Sequence, residues 1–316
     1  MPMPERVDNV GPVAKGLYDH LLTGALLARL EAMGDPRLVE LSELEPDDAH
    51  AAIAQHLERV IASSLSSLRG EAVAARQHRL VKRLIDLLVR ELGDDWAERF
   101  KLADPLRRLL AVHASPRVSL APRPDTPLSR SALLTGSRWD PSLASQLAKE
   151  FAGADRVDIL CSFVKWSGMR LLLDGLRELT ATPCTEGPRL RVVTTSYMGA
   201  TDPRAIEVLR ALPNTEVKVS YDTERTRLHA KAFVVHRDSG FGSAYIGSAN
   251  ISRAALSEGL EWTSKISQYE LPHLWQKVVA AFEGHWHGEE FEQYGEGSVV
   301  RRREAVGRER RRDGAG

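Results

Sequence analysis

Apolar residues recur at helical spacing through the first third of the chain. Leu22, Leu26, Leu27 and Leu30 form one stripe. Ile53, His56, Leu57, Val60, Ile61 and Leu65 form a second, and Leu80, Leu84, Leu87 and Leu88 a third. Asp47 and Asp48 stand where an N-cap would serve, and Gly70 and Gly93 where helices would stop. The pattern predicts an all-helical region over residues 1–113. Residues 114–137 are rich in Pro, Ser and Arg and read as a linker or connecting loop. Beyond them short β-branched runs alternate with helical ones. Strands are expected at 156–164, 189–196, 215–221, 230–236 and 243–248. Helices are expected between the first three of these, and a closing helix at 271–286. This alternation predicts an α/β domain over 138–295 with a mixed, largely parallel sheet.

A chain of 316 residues has room for such a core beside the helical region. Its formal net charge is zero, so any affinity for a polyanion must come from local patches. One stretch stands out: Arg301 to Arg312 holds seven arginines against Glu304 and Glu309, and 296–316 reads as a disordered, solvated tail. Cys161 and Cys184 are the only cysteines. Cys161 lies in an apolar strand as a small hydrophobe, and nothing suggests a disulfide framework or zinc site. The expectation is a cytoplasmic protein without membrane attachment, since neither a signal-peptide core nor a bilayer-length apolar run is seen.

Chemistry concentrates between His229 and Glu261. His229 and Lys231 are two apart in a strand-like run, so both side chains face one cleft. About a strand and a turn later comes Gly247-Ser248-Ala249-Asn250. An imidazole, an ammonium, a hydroxyl and a carboxamide could thus meet one phosphate. Neutral His229 would attack, Lys231 would hold the non-bridging oxygens, and Ser248 and Asn250 would donate hydrogen bonds. Gly247 would let the backbone come close. A lone histidine on an apolar strand, or a lone G-S-x-N turn, is ordinary structure; the two joined at this spacing read as one site. His285 and His287 lack a third ligand at useful spacing, so no metal or other cofactor is expected.

The spacing H-x-K followed by G-S-x-N resembles the phospholipase D superfamily. The resemblance implies an α-β-α sandwich and a phosphohistidine intermediate, with Glu261 holding the far nitrogen of His229. It also implies a homodimer, because the family's scheme uses two histidines and this chain has one motif. One position departs from the pattern: His236 stands where the family carries an aspartate, with Asp238 two residues on as a substitute of the same strand parity. More widely, the segments 127–136, 162–168, 194–205, 220–232 and 248–262 resemble the nuclease-like N-terminal region of bacterial superfamily 2 helicase-like proteins. That favours DNA as substrate, with RNA as the alternative, and a helicase or ATPase as a partner. No G-K-[ST] triplet occurs, so the chain itself has no Walker phosphate loop. Lys165, Ser196, Tyr197, Arg225, Arg227 and Arg253 are the expected phosphate contacts. A non-catalytic DNA-binding module is the principal alternative, and a lipid phosphodiesterase a lesser one.

Overall fold

The computed structural model describes residues 13–19, 21–93, 97–112, 122–183, 187–196, 201–221 and 228–295. The chain divides into two compact units, Met1–Val112 and His113–Gly316.

The first unit is helical. Helix α1 (Gly24–Glu31) is capped by the Thr23 hydroxyl, which accepts from the Leu26 N–H at 3.2 Å. Helix α2 (Pro46–Ser67) starts on a proline at its first position, with Glu45 as N-cap. Asp47 and Asp48 therefore lie inside its first turn rather than at the cap, where they still favour the positive helix end. Helix α3 (Val73–Leu92) ends on Gly93, whose φ of +64° is the left-handed conformation that glycine adopts without strain. Gln77 ties α3 to α2 by donating to the Leu65 carbonyl at 2.9 Å.

The second unit is built on one mixed sheet. Its strands are β1 (Ala132–Leu134), β2 (Arg156–Cys161), β3 (Leu190–Thr195), β4 (Thr215–Ser220), β5 (Lys231–His236), β6 (Ser243–Gly247), β7 (Thr263–Ser267) and β8 (Glu292–Gln293). The order across the sheet is β1-β7-β6-β5-β2-β3-β4-β8. Helices α4 (Leu143–Phe151), α5 (Trp166–Ala181) and α6 (Pro203–Arg210) are threaded among the first strands, and α7 (Pro272–His287) follows β7. Only β2-β3-β4 pair in parallel; the other pairings are antiparallel. The sheet is mixed as expected but not largely parallel. The physical reason is connection length: α5 and α6 carry the chain back between parallel strands, whereas the short links within β5-β6-β7 allow only reversals.

Both faces are covered. Leu147, Phe151, Met169, Leu172, Leu176 and Leu209 pack with Val157, Ile159, Val192, Phe233 and Val235 on one side. On the other, Trp275, Phe282 and Trp286 of α7 cover Leu160, Val193, Ala232, Val234 and Ala244. The strand alternation of β5 sorts these residues: 233 and 235 go to one face, 232 and 234 to the other. Three strands were absent from the sequence pattern. One, β1, falls in the stretch expected to be linker, where Ala132–Leu134 pairs along β7 instead.

Candidate active site

Strand pairing gathers the candidate residues at one end of the sheet. Lys231 begins β5 directly across from Cys161, the last residue of β2. Ala232 lies across from Ile246, and Gly247 across from Thr263, so the ends of β2 and β6 and the starts of β5 and β7 coincide. This is the edge of an α/β sheet where strand ends present side chains to ligands.

His229 is exposed just before β5, while Lys231 is only 4% exposed. The Lys231 ammonium donates to the His229 carbonyl at 2.6 Å and stands 3.2 Å from its Nδ1. Burial holds the Lys231 pKa below the ordinary lysine value, and the neighbouring Cys161 and Glu261 only partly oppose that. Burial likewise pushes the Cys161 thiol up to about 11, so it stays neutral beside the ammonium.

Asn250 is held from the opposite direction. Its Oδ1 accepts from the Phe163 N–H at 3.3 Å and faces the Cys161 Sγ at 3.9 Å. Val164 and Ile251 form a parallel bridge, and the Lys165 N–H donates to the Ile251 carbonyl at 2.8 Å. Gly168, in the first turn of α5, seals this joint: a Cβ there would stand 2.5 Å from the Ser252 nitrogen. Neither Cys161 nor Gly168 was singled out as part of the site. An x-G-x within a helical run carries no signal until its packing partner is known.

The Ser248 hydroxyl donates to the Glu261 carboxylate, and its N–H donates to the Trp262 carbonyl at 3.3 Å. Glu261 was expected on His229. It is in the cluster, hydrogen-bonded to Ser248 and close enough to Lys231 to act on its charge, but its described partner is not the imidazole. Gly247 is also fixed by packing. A Cβ there would meet the Trp262 carbonyl oxygen at 2.2 Å, so its bareness serves the β6–β7 approach. Between Asn250 and Glu261 runs a π-helical turn (Ala254–Glu258), closed by the Gly259 N–H on the Ala254 carbonyl at 2.5 Å. Gly136, at a φ of +68°, packs against Gly259 and Glu261 from beyond β1.

The outer candidates separate. Lys165 is exposed at the N-cap of α5, beside the Asn250 loop. Ser196 lies at the same end of the sheet, but it is buried and its hydroxyl donates to the Ser220 carbonyl at 3.2 Å. Arg253 is paired with Glu258 at 2.9 Å across the π turn, which binds it to its own loop. Tyr197, Arg225 and Arg227 lie outside the described residues, as do Cys184 and the tail 296–316.

His236 is not at the site. It lies five residues along β5 from Lys231, about 16 Å away, across from Arg156. Its Nε2 is 2.7 Å from Asp158, and its ring meets Trp275 edge-on. Asp158 in turn takes Arg191 at 2.7 Å, and Arg191 reaches Glu283 of α7 at 2.6 Å. The carboxylate that partners this end of β5 is therefore Asp158 on the neighbouring strand. Asp238 is exposed, and its backbone N–H donates to Asp155. Among the described residues, no three His, Cys, Asp or Glu side chains are grouped to hold a metal ion.

Residues 155–286 match the family described as cardiolipin synthase, phospholipase D-like domain. They form a phospholipase D-like domain. All five central residues, His229, Lys231, Ser248, Asn250 and Glu261, fall inside the match. Among solved structures, NucT from Helicobacter pylori aligns at 16% identity with a TM-score of 0.39, covering 52% of this chain and 99% of its own. The phospholipase D family member Nuc from Salmonella typhimurium aligns at 15% with a TM-score of 0.36, covering 52% and 99%. Polyphosphate kinase from Porphyromonas gingivalis aligns at 10% with a TM-score of 0.35, covering 48% of this chain and 22% of its own. The domain assignment rests on the family match rather than on these three. Comparison with curated proteins finds no match. No described helix is long and apolar enough to cross a membrane.

Proposed function

We propose that the phospholipase D-like domain cleaves phosphodiesters of nucleic acid, DNA first, through a covalent phosphohistidine on His229. The observation that carries this reading is the gathering of His229, Lys231, Ser248, Asn250 and Glu261 at one end of the sheet, with the ammonium buried and the imidazole exposed. An accessible nucleophile beside a fixed cation is what attack on an anionic phosphorus requires.

In the scheme, a ring nitrogen of His229 attacks phosphorus and the P–O bond to the leaving strand breaks. A second imidazolium gives that alkoxide its proton. Water, deprotonated by the same second imidazole, then attacks phosphorus and breaks the N–P bond. The chain supplies one such motif, so the second imidazole belongs to another copy and the working unit is a homodimer. Lys231 now points at Nδ1 and the carbonyl of His229. An entering phosphate oxygen draws the ammonium away, leaving Nδ1 to carry the ring proton and Nε2 to attack. Ser248 turns its one hydroxyl proton from Glu261 to the same phosphate. Lys165 is a further cation at its approach. The setting is cytoplasmic, with a helicase or ATPase supplied by another chain.

A non-catalytic module that grips DNA is the second reading, favoured by the occupied nitrogen of His229. Cleavage of labelled single- and double-stranded DNA in excess EDTA, wild type beside His229→Ala, separates the two. Wild type is expected to cut and the variant to lose at least about 10³-fold in rate. Binding without cleavage by either protein would establish the second reading instead.

A further inference from the structure

The helical unit contains a cleft of about 230 Å³ between the end of α2 and the face of α3. It is lined by Leu68, Arg76, Arg79, Leu80 and Arg83. That is room for about eight water molecules, more than a solvation pocket for one side chain. The three arginines fall at i, i+3 and i+7 of α3, so they share one face of the helix. None of them forms an ion pair among the described residues, whereas Asp86 on the same helix is taken by Lys101 at 2.8 Å. Arg76 is fixed in place by donating to the Arg69 carbonyl at 3.0 Å, which leaves its remaining donors free for a ligand.

In a chain of zero net charge, three uncompensated guanidiniums around a concavity with an apolar floor are an anion site in waiting. From Arg76 to Arg83 the helix rises about 10 Å, a span longer than one phosphate group and able to reach neighbouring phosphates of a strand. A single small anion would use one or two of the arginines. A strand backbone uses all three.

We infer that this cleft binds the phosphate backbone of nucleic acid and is a second substrate contact, remote in sequence from the catalytic cluster. The inference rests on the nucleic-acid reading of the α/β domain. The guanidiniums dock phosphates without reading sequence, and Leu68 and Leu80 give the sugar edges an apolar floor.

The test uses the full chain carrying His229→Ala, in EDTA, so that substrate is not consumed. Binding of a fluorescently labelled single-stranded oligonucleotide is followed by anisotropy between 50 and 200 mM salt. Adding Arg76→Gln, Arg79→Gln and Arg83→Gln is expected to weaken binding at least tenfold at the lower salt. It should also flatten the slope of log K against log salt by about 2, at about 0.7 per lost contact. The triple Arg→Lys variant, which keeps charge, should retain most of the slope and so exclude misfolding as the cause. An unchanged slope in the glutamine variant overturns the cleft. So does equal loss in both triple variants. Tight binding to anionic phosphatidylserine vesicles that is abolished by the glutamines, with DNA binding untouched, would also overturn it in favour of a lipid surface. Wild-type protein that binds DNA through the cleft yet cuts none would leave this inference standing and remove the nuclease reading.

Discussion

Lys231 is only 4% exposed, and among the described residues its ammonium meets a carbonyl and an imidazole nitrogen of His229 rather than a carboxylate. Such a cation is poised for an incoming anion. Its pKa is lowered by burial, so the protonated form is lost at lower pH than for an exposed lysine. If charge on Lys231 stabilises the transition state, kcat/KM must fall as pH rises through that lowered value. The expected profile has an alkaline limb below the ordinary lysine value of about 10.4. A rate that stays flat through pH 10 would contradict the role. The residues that form the centre of this cluster were legible in the sequence because a strand period of two and a short return fix who meets whom. Their pairings were not. Glu261 bonds Ser248 beyond a π turn against whose end Gly136 packs, and no spacing rule reports that turn.

At the scale of elements, strand β7 shows why part of the sheet stayed hidden. Its inward positions are Thr263, Lys265 and Ser267, which read as loop in a hydrophobic pattern. Lys265 is tolerated because Glu150, fully buried on α4, meets it at 3.5 Å and also meets Tyr245 at 2.6 Å and Arg237 at 2.6 Å, while the Ser267 hydroxyl donates to the Leu128 carbonyl at 2.7 Å. Lys265 also donates to Thr126 and Pro127, which ties the segment before β1 onto the sheet. The longer apolar strands are legible in the sequence; polar β7 and the short β1 and β8 are not. A second buried network links β2, β3 and α7 through Asp158, Arg191 and Glu283, with Arg191 also lying 4.8 Å over the Phe282 ring. Burial pushes the Asp158 carboxyl up, but Arg191 and His236 outweigh it and hold it below its ordinary value. Its stabilising contribution is therefore present above the unfolded carboxylate value of about 3.9 and is lost as pH falls through the lower folded one. Asp158→Asn removes one of the two carboxylates on Arg191 and leaves Glu283 as its partner, so a loss of about 1–3 kcal/mol in denaturant unfolding is expected at pH 7, narrowing below pH 4. A variant within about 0.5 kcal/mol of wild type, the usual range for a surface change, would show that Glu283 alone suffices for Arg191.

At the scale of the molecule, the chain joins a helical unit to a phospholipase D-like domain that holds one copy of its motif. One imidazole cannot both bond to phosphorus and protonate the leaving group in the same step, so the proposed scheme draws its second imidazole from another copy of the 35.0 kDa chain. It stands or falls on whether His229 becomes covalently bound to substrate. The direct measurement is a rapid-quench reaction with labelled oligonucleotide, stopped in alkaline detergent and followed by peptide mapping of any protein-linked label. Label is expected on the peptide that contains His229, stable to base and released by acid as an N–P bond should be, and absent from His229→Ala. Cleavage that proceeds at full rate with no such adduct, or an adduct that survives in His229→Ala, would contradict it.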